Sequence, residues 1–323
     1  MIRMAVIGVG SMGQNHARVY FHNDLVELVA VADPNQQFLD RVCKLYNPKG
    51  YADYREMLEK ENIDAVSIAV PTKFHTEVAI YALNKGKHVL LEKPIASTEQ
   101  EAQEIIDCAG KNKVKLMIGH IERFNPAIIE LKKRLHELGE IYKIDAQRIG
   151  PFPSRITDVG VIVDLSVHDL DVIGYILNAK PTRVYAETQK RLHPHHEDSV
   201  TALLRYENDI LAVLNVNYLS PTKMRQLRVF GKKGMFLVNY LNQELFFYEN
   251  NSYSSDDWSS VTEGDIKKIR ILKREPLASE IDAFLGCIMN KTSSPASGEE
   301  GLEVLRIAVA LSDSAASRST LYF

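Results

Sequence analysis

Three glycines after the first apolar run constrain the fold of this chain more than any other feature. Gly8, Gly10 and Gly13 have the spacing of a turn that joins a strand to a helix. Gly8 permits the tight turn, Gly10 has no side chain to keep a phosphate from the backbone, and Gly13 lets the helix lie close to the strand. The pattern predicts that a pyrophosphate binds at the helix N-terminus, where Ser11 and Met12 lie.

An acidic residue stands at the distance that a dinucleotide site requires. A second apolar run ends in Asp33, twenty residues after Gly13. A carboxylate at this place accepts the hydroxyl groups of the adenine ribose and repels a 2′-phosphate, so the sequence predicts NAD as the cofactor in preference to NADP. The alternative is that Asp33 is a solvated residue that ends a strand before Pro34.

The composition excludes several classes of partner. The chain has 323 residues, enough for two domains, and its formal net charge is only −3 with no block of basic residues. Nucleic acid and anionic membrane surfaces are therefore poor partners, and no apolar run reaches the length of a membrane span. Three widely spaced cysteines, and a first strand that leaves no room for a signal peptide, favour the cytoplasm.

The first 120 residues alternate between strand-like and helix-like segments. Apolar strand candidates lie at 3–9, 26–32, 64–70, 87–91 and 114–118. Helix candidates between them lie at 12–22, 35–46, 53–60, 74–85 and 98–112, the last with a capping box from Thr98 and Glu101. This alternation predicts an α/β Rossmann domain over residues 1–120, with a parallel sheet and helices on both faces.

From residue 121 the pattern changes to a succession of strands. A linking helix is predicted over 126–138, followed by a strand at 141–149 and a helix at 164–178. Six further strand candidates precede two closing helices at 276–290 and 298–316: 181–190, 198–206, 210–219, 224–231, 234–239 and 244–248. Residues 121–323 are thus predicted to form an α+β domain with a large, mostly antiparallel open sheet and helices on one face.

Two groups of polar residues could carry chemistry. Lys93 follows the predicted strand at 87–91, at the carboxyl end where open α/β sheets bind ligands, and can donate a charged hydrogen bond to a substrate oxygen. Asp164 and His168 are four residues apart and share a helix face, which Asp171 extends by one turn. A carboxylate beside a histidine orients the ring as a general acid or base. The alternatives are a surface lysine, a structural aspartate and a histidine with only structural hydrogen bonds.

The order of these motifs resembles that of the glucose–fructose oxidoreductase/inositol dehydrogenase (Gfo/Idh/MocA) family. The segments that carry the resemblance are the glycine turn, Asp33, 71–75, 86–89, the triplet Glu92-Lys93-Pro94 and 164–169. The resemblance covers both predicted domains and implies that the second binds the substrate and forms homodimers or homotetramers. It also implies that the cofactor is bordered by Thr72, His75, Glu92 and Lys93, although a helix-surface position is the alternative for His75.

The resemblance further implies that Lys93, Asp164 and His168 lie around a hydroxyl group of a sugar or polyol. A hydride leaves that carbon for the nicotinamide. His168 is the expected base for the hydroxyl proton, Asp164 orients it or binds the same hydroxyl, and Lys93 stabilises the developing alkoxide. Which of Lys93 and His168 takes the proton first stays open.

Two segments bear on the substrate. Residues 119–126 and 148–155 are similar to those of family members assigned as UDP-N-acetylglucosamine 3-dehydrogenases, and arginines near a cleft suit a diphosphate. Arg123, Asn125 and Arg155 are therefore predicted to bind a UDP-sugar. Salt bridges between the domains are the alternative for the arginines, and relatives that act on inositols or free sugars leave the sugar open.

Two other functions and a metal site are alternatives to this interpretation. A non-catalytic dinucleotide sensor with this fold could lack Lys93 or the Asp164–His168 pair, so the presence of these three residues favours a dehydrogenase. An enzyme that keeps its cofactor bound and cycles it between two substrates is another alternative. The segment from His193 to Asp198 could suggest a metal site, but adjacent histidines without a second ligand group favour an exposed polar loop, and the expected reaction needs no metal.

Overall fold

A computed structural model of the protein describes residues 1–153, 159–250 and 264–323. The chain groups into two compact units, and each has its own sheet. The first unit comprises Met1–Ile121 and Glu275–Leu305, and the second comprises Glu122–Arg274 and Arg306–Phe323.

The first 121 residues fold as alternating strands and helices. The strands are β1 (Ile2–Ile7), β2 (Val26–Ala32), β3 (Lys49–Tyr51), β4 (Ala65–Ile68), β5 (His88–Glu92) and β6 (Leu116–Gly119). The helices are α1 (Ser11–Phe21), α2 (Gln36–Tyr46), α3 (Tyr54–Lys60), α4 (His75–Asn84) and α5 (Glu99–Asn112), with a 3₁₀ turn at Thr72–Phe74. The predicted capping box of Thr98 and Glu101 is present at the start of α5.

These strands form one parallel sheet in the order β3-β2-β1-β4-β5-β6, which confirms the predicted α/β Rossmann fold. The central strands are buried along their whole length because helices cover both faces. The direction of winding reverses between β1 and β4, and such a switch point opens a crevice beyond the carboxyl ends of the strands. The edge strand β3 carries no sequence signal, since its residues Lys49, Gly50 and Tyr51 are too few and too polar.

The rest of the chain contains longer strands. The helices are α6 (Pro126–Arg134), α7 (Val167–Leu177), α8 (Pro276–Met289) and α9 (Gly298–Ser317). The strands are β7 (Ile141–Pro151), β8 (Pro181–Gln189), β9 (Ser199–Tyr206), β10 (Leu211–Asn217), β11 (Leu219–Gly231), β12 (Gly234–Asn239), β13 (Glu244–Glu249), β14 (Ile266–Ile269) and β15 (Leu321–Tyr322).

The second sheet has the order β14-β13-β12-β11-β7-β10-β9-β8-β15 within the described residues. Its strand pairs are antiparallel except for β7 with β10, which confirms the predicted mostly antiparallel sheet. Along β10, Ala212, Leu214 and Val216 are buried and alternate with more exposed residues, so one face of the sheet packs on a core.

The helices differ from the prediction in detail. The linking helix predicted over 126–138 is α-helical only to Arg134, and Leu135–Leu138 is a 3₁₀ turn that ends at Gly139, whose φ is +68°. None of the described helices combines the length and the apolar character needed to cross a bilayer.

The closing helices depart from the predicted division into residues 1–120 and 121–323. Helix α8 and the part of α9 up to Leu305 belong to the first unit. A Cβ on Gly301 would lie 2.8 Å from the side chain of Ile118, so the helix can approach β6 only at a glycine. The backbone N–H of Ile118 also donates a hydrogen bond of 2.9 Å to the carbonyl of Ala296. The returning chain therefore covers the β6 edge of the first sheet.

Candidate functional site

The glycine turn between β1 and α1 has the geometry that the sequence spacing predicts. Gly8 has a φ of +82°, and a Cβ there would lie 2.8 Å from the carbonyl oxygen of Ala69. A Cβ on Gly13 would stand 1.8 Å from the carbonyl oxygen of Gly8, so α1 can approach the turn only because Gly13 has no side chain. A Cβ on Gly10 would meet no atom of the described residues within 4 Å. Gly10 therefore faces open space, as close approach of a pyrophosphate requires.

The N-terminus of α1 suits an anion. Gly10 occupies the N-cap position without a side-chain hydrogen bond, and no acidic residue lies in the first turn. Ser11 and Met12 are exposed there, and the first N–H groups of a helix have no acceptor within it. The positive end of the helix dipole adds to the attraction for a phosphate. The side chain of Gln14 supports the turn through a 3.0 Å hydrogen bond to the carbonyl of Val9.

Asp33 is held beside this turn. It follows β2, its Oδ2 accepts the N–H of Val9 at 2.8 Å, and its Oδ1 accepts the N–H of Asn35 at 2.8 Å. These bonds fix the carboxylate at the carboxyl edge of the sheet, the place where a ribose diol meets such a residue. The open space at Gly10, the N-terminus of α1 and the fixed carboxylate together fit NAD. The contact of Asp33 with the ribose stays a prediction.

His75 connects the end of β4 to the turn after β5. Its ring is 1% exposed, with Nδ1 2.8 Å from the carbonyl oxygen of Pro94 and Nε2 3.0 Å from that of Val70. Burial lowers the pKa of His75, and this effect outweighs the hydrogen bonds to the two carbonyls, which raise it. The alternative of a helix-surface position for His75 is therefore wrong. Thr72 is half-buried in the preceding 3₁₀ turn, and the contact of both residues with the cofactor stays a prediction.

Glu92 and Lys93 lie at the carboxyl end of β5. Glu92 Oε1 is 2.9 Å from His16 Nε2, and its Oε2 accepts the backbone N–H of Lys93 at 3.3 Å. Burial opposes the charged form of Glu92, but His16 and Lys93 outweigh this effect and hold the pKa of the carboxyl below its usual value. Lys93 is half-buried, and its peptide bond to Pro94 is cis. A carboxylate and an ammonium group thus stand at the edge where open α/β sheets bind ligands.

In the second unit Asp164 lies in a π-helical turn, Ile162–Ser166, that leads directly into α7. The prediction of a regular helix from residue 164 is therefore wrong at its start, because α7 begins at Val167 and His168 lies in its first turn. The π-turn is wider than an α-helical turn, so Asp164 and His168 do not have the spacing of two residues on a regular helix face. Both side chains are half-buried, and π-turns are frequent at functional sites.

The carboxylate of Asp164 is held by Tyr218. The Tyr218 hydroxyl donates a hydrogen bond to Asp164 Oδ2, and the tyrosine is 4% exposed. Its ring packs edge-on against Phe152, with 5.9 Å between the ring centroids. Tyr218 carries no sequence signal for this role, since a tyrosine between two strands is also an ordinary core residue.

The segment from His193 to Asp198 is less exposed than predicted. His193 is 3% exposed and Asp198 is fully buried, and Asp198 Oδ2 accepts backbone N–H groups from its own loop. Glu197 Oε1 accepts the N–H of Ile162 at 3.2 Å, so the loop supports the π-turn that carries Asp164. Among the described residues, no group of three or more His, Cys, Asp and Glu side chains is arranged to hold a metal ion.

Arg123 and Asp171 form a buried ion pair. Arg123 Nε lies 2.9 and 2.8 Å from the two carboxylate oxygens, and the two side chains are only 4% and 1% exposed. Asp171 thus has a structural partner in Arg123, and its place on the helix face of Asp164 and His168 stays a prediction. A salt bridge between the domains was the alternative to substrate binding for Arg123. Arg123 does form a salt bridge, but both partners lie in the second unit. A contact of Arg123 with substrate stays a prediction.

Arg148 is buried between two carboxylates. Its Nε and Nη2 lie 2.7 and 3.0 Å from the oxygens of Asp169, and its Nη1 lies 2.9 Å from Glu122 Oε1. Burial lowers the pKa of Arg148, but Asp169 and Glu122 outweigh it and the net shift is upward. Burial raises the pKa of Asp169 against the effect of Arg148. Because removal of one partner would leave a buried charge uncompensated, this cluster fixes α7 on β7.

Asn125 is occupied by structural hydrogen bonds. Its Oδ1 accepts the N–H of Ala127 at 3.1 Å as the N-cap of α6, and its Nδ2 donates to the carbonyl of Tyr240 at 3.1 Å. The residue is 2% exposed. Its contact with a UDP-sugar stays a prediction, as does that of Arg155, which lies outside the described residues.

One supporting residue does have a sequence signal. His16 is polar but occupies the apolar face of α1, and the buried residues of that face are Gly13, His16, Ala17, Val19 and Tyr20. A polar residue on such a face needs a partner in the core, so His16 could have been identified as part of a buried network.

Two family models match the chain. One is described as an oxidoreductase family with an NAD-binding Rossmann fold and matches residues 2–120, and the other is the GFO/IDH/MocA C-terminal domain and matches residues 130–237. Together they cover more than half of the chain.

Individual proteins of known sequence or structure are similar over most of the chain. UDP-N-acetylglucosamine 3-dehydrogenase of Acidithiobacillus ferrooxidans is 31% identical over 308 residues, 95% of each protein. A solved structure of that enzyme superimposes with a TM-score of 0.89, at 30% identity and with 98% of each chain covered. The scyllo-inositol 2-dehydrogenase (NAD(+)) of Bacillus subtilis strain 168 is 28% identical over 258 residues, 75% of each protein.

The Rossmann sheet, its glycine turn and the carboxylate after β2 define an NAD-binding oxidoreductase. With the two family matches, the protein belongs to the GFO/IDH/MocA oxidoreductase family, which confirms the resemblance seen in the motifs. It is an NAD-dependent dehydrogenase that acts on CH–OH groups.

Proposed function

We propose that the protein oxidises the C3 hydroxyl of UDP-N-acetylglucosamine and transfers the hydride to NAD. The observation that carries this proposal is the extent of the similarity to the Acidithiobacillus ferrooxidans enzyme, which covers 95% of this chain at 31% identity. The similarity to the scyllo-inositol 2-dehydrogenase covers 75% at 28% identity. The higher identity extends over nearly the whole chain and so over both units, which favours the UDP-sugar as the substrate.

The residues of the chain position the substrate hydroxyl and move its proton in this proposal. NAD accepts the hydride when it is bound. His168 takes the hydroxyl proton, and Asp164, whose carboxylate is held by Tyr218, orients the imidazole or binds the same hydroxyl. Lys93 stabilises the negative charge that develops on the oxygen. Whether Lys93 or His168 takes the proton first depends on which nitrogen lies nearer the hydroxyl in the complex.

An inositol or free-sugar dehydrogenase is a second candidate, and one observation favours it. The guanidinium groups of Arg123 and Arg148 are bound by Asp171 and by Asp169 with Glu122, so two arginines that could have met a diphosphate already have carboxylate partners. A substrate without phosphates needs no arginine.

A substrate panel separates the two candidates. The protein is incubated with NAD and with UDP-N-acetylglucosamine, UDP-glucose, N-acetylglucosamine, myo-inositol or scyllo-inositol, and NADH formation is followed. We expect the highest kcat/KM with UDP-N-acetylglucosamine and a carbonyl at C3 of the product by NMR. A higher kcat/KM with an inositol would replace the proposal by the second candidate. Gly10→Val is the negative control, because the substitution should block NAD binding without altering the second unit.

Thermal unfolding adds a reading that does not depend on turnover. A ligand of the native state raises the unfolding temperature, so UDP alone should stabilise the NAD-bound protein if the nucleotide of the substrate is recognised. Stabilisation by inositols but not by UDP would contradict the proposal.

A further inference from the structure

A chain of buried polar side chains runs below the carboxyl edge of the first sheet. Glu92 Oε1 is 2.9 Å from His16 Nε2, His16 Nδ1 is 3.1 Å from Ser67 Oγ, and Ser67 Oγ is 2.6 Å from Tyr20 Oη. His16 is 1% exposed, and Ser67 and Tyr20 are fully buried. The four residues come from α1, β4 and β5, so the chain links the helix after the glycine turn to the strand that leads to Lys93.

The hydrogen bonds have one consistent direction. An ionised Glu92 can only accept, so His16 Nε2 donates to it. In the tautomer with hydrogen on Nε2 alone, Nδ1 accepts the hydroxyl hydrogen of Ser67, and Ser67 Oγ accepts that of Tyr20; this tautomer is assigned from the network. Burial raises the pKa of Tyr20, which keeps its hydroxyl a donor. Every member is satisfied, and the chain ends on the carboxylate.

Glu92 stands on the nicotinamide half of the sheet. The two halves of a Rossmann sheet bind the two nucleotides on either side of the switch point between β1 and β4. Asp33 follows β2 on the adenosine half, whereas Glu92 ends β5 on the other. The neighbouring strand β6 presents Gly119, whose Cβ would lie 3.2 Å from Glu92 Oε2, so the carboxylate occupies the space above it. The side chain of Glu92 is 13% exposed and thus reaches this edge.

We propose that His16 is a positioning residue for hydride transfer, which fixes the Glu92 carboxylate, with its negative charge, beside the nicotinamide. The ring carries a positive charge in NAD⁺ and none in NADH, so a fixed negative charge favours the oxidised cofactor. The ratio of the two affinities therefore depends on His16. The inference needs only the binding of NAD to the first unit and is independent of the sugar.

The charged form of Glu92 depends on a small set of neighbours. His16 and Lys93 favour it and burial opposes it, while His75 and Tyr20 are the other titratable groups that sense its charge. When an apolar residue replaces His16, Lys93 is the main group left to favour the charged carboxylate against burial. The pKa of Glu92 therefore rises. Glu92 then binds a proton as the pH falls through the raised value. Protonation removes the negative charge and weakens the binding of NAD⁺ relative to NADH.

The test is calorimetric titration of NAD⁺ and NADH into the full-length protein from about pH 5 to about pH 9, so that the range begins near the ordinary pKa of a glutamate. The ratio of the two dissociation constants should be nearly constant for the wild type. For His16→Leu we expect a shift of about tenfold towards NADH at the acidic end, the equivalent of one pKa unit, which diminishes as the pH rises. Glu92→Gln should show the shift at every pH.

Two variants serve as controls. His16→Gln retains an N–H near the position of Nε2 and should restore most of the wild-type ratio. His22→Leu makes the same substitution at an exposed site at the end of the same helix and should leave the ratio unchanged.

A wild-type ratio at every pH in His16→Leu would overturn the proposal. Equal losses of affinity for NAD⁺ and NADH would also overturn it, because they mean that the histidine only supports α1. If His16→Leu does not fold, Ser67→Ala removes the donor to Nδ1 and should shift the ratio in the same direction by about two- to threefold. A wild-type ratio in both Ser67→Ala and Glu92→Gln would then refute it.

Discussion

Tyr218 donates the hydrogen of its phenol to Asp164, and this bond joins the segment between β10 and β11 to the π-turn before α7. Glu197 supports the same turn by accepting the N–H of Ile162. The candidate catalytic carboxylate is therefore fixed by residues that are distant from it in sequence. Its position depends on the sheet as much as on the helix that carries His168.

Tyr218→Phe tests this dependence. The variant keeps the buried ring but removes the hydroxyl, so Asp164 loses a hydrogen bond while the packing against Phe152 remains. We expect kcat to fall by about tenfold or more, the usual effect of one hydrogen bond to a charged group, with NAD affinity unchanged. Steady-state kinetics measure kcat, and calorimetric titration measures the affinity for NAD. Tyr185→Phe, which removes an exposed hydroxyl bound to Glu187, should behave as wild type. A wild-type kcat in Tyr218→Phe would show that Asp164 needs no such support.

The glycines should separate binding from folding. Gly10→Val should abolish NAD binding but keep the unfolding temperature, since a Cβ there meets no described atom within 4 Å. Gly13→Ala should instead lower the unfolding temperature, because its Cβ would lie 1.8 Å from the carbonyl oxygen of Gly8. Thermal unfolding and calorimetric titration on both variants give the comparison. A stable Gly13→Ala protein with intact NAD binding would show that α1 can shift.

His168→Ala should strongly reduce turnover and leave NAD affinity nearly intact, and Lys93→Ala should strongly reduce turnover. Loss of a positioned acid or base costs about a hundredfold to ten-thousandfold in rate. Kinetics on the true substrate, paired with NAD titration, test this prediction. Near-normal turnover in His168→Ala would make the histidine structural. A large loss of NAD affinity in the same variant would mean that the catalytic group has been assigned to the wrong residues.

Asp33→Ser should reduce the preference for NAD over NADP. The substitution removes the carboxylate that repels a 2′-phosphate and one of the two acceptors that now bind Val9 and Asn35. We expect the ratio of the kcat/KM values to move towards NADP by about tenfold or more. Asp40→Ser, an exposed change on α2, is the control. A wild-type protein with the higher kcat/KM on NADP would contradict the assignment.

The second sheet is predicted to associate with a second copy of the chain. Leu203 on β9 is 42% exposed and pairs across the strands with Val213 on β10, so the face opposite the core carries apolar residues. Light scattering should show a dimer or tetramer at micromolar concentration, and Leu203→Glu should weaken it. A monomeric wild type would refute the prediction.

The sequence predicts the features that depend on neighbouring residues. The glycine turn, Asp33, the capping box of Thr98 and most helix and strand positions follow from backbone geometry and apolar periodicity over short segments. The motif order also identified the family.

Features that depend on distant partners could not be predicted. The bond between Arg123 and Asp171 spans 48 positions in the chain, and that between His16 and Glu92 spans 76. A sequence does not show which charged residues pair across such distances, so the ion pair of Asp171 with Arg123 has no signal in the sequence. The π-turn at Asp164 likewise depends on the loop that ends at Asp198.

The return of residues 275–305 to the first sheet has a consequence for synthesis on the ribosome. Residues 1–121 emerge early, but the helices that cover the β6 edge follow only after strands β7 to β14 have been translated, roughly ten to thirty seconds later. During that interval the nascent nucleotide-binding half exposes apolar side chains such as Ile118. A polypeptide that stops before residue 275 therefore stays a target for chaperones and proteases, because the first unit is completed only when residues 275–305 have been translated.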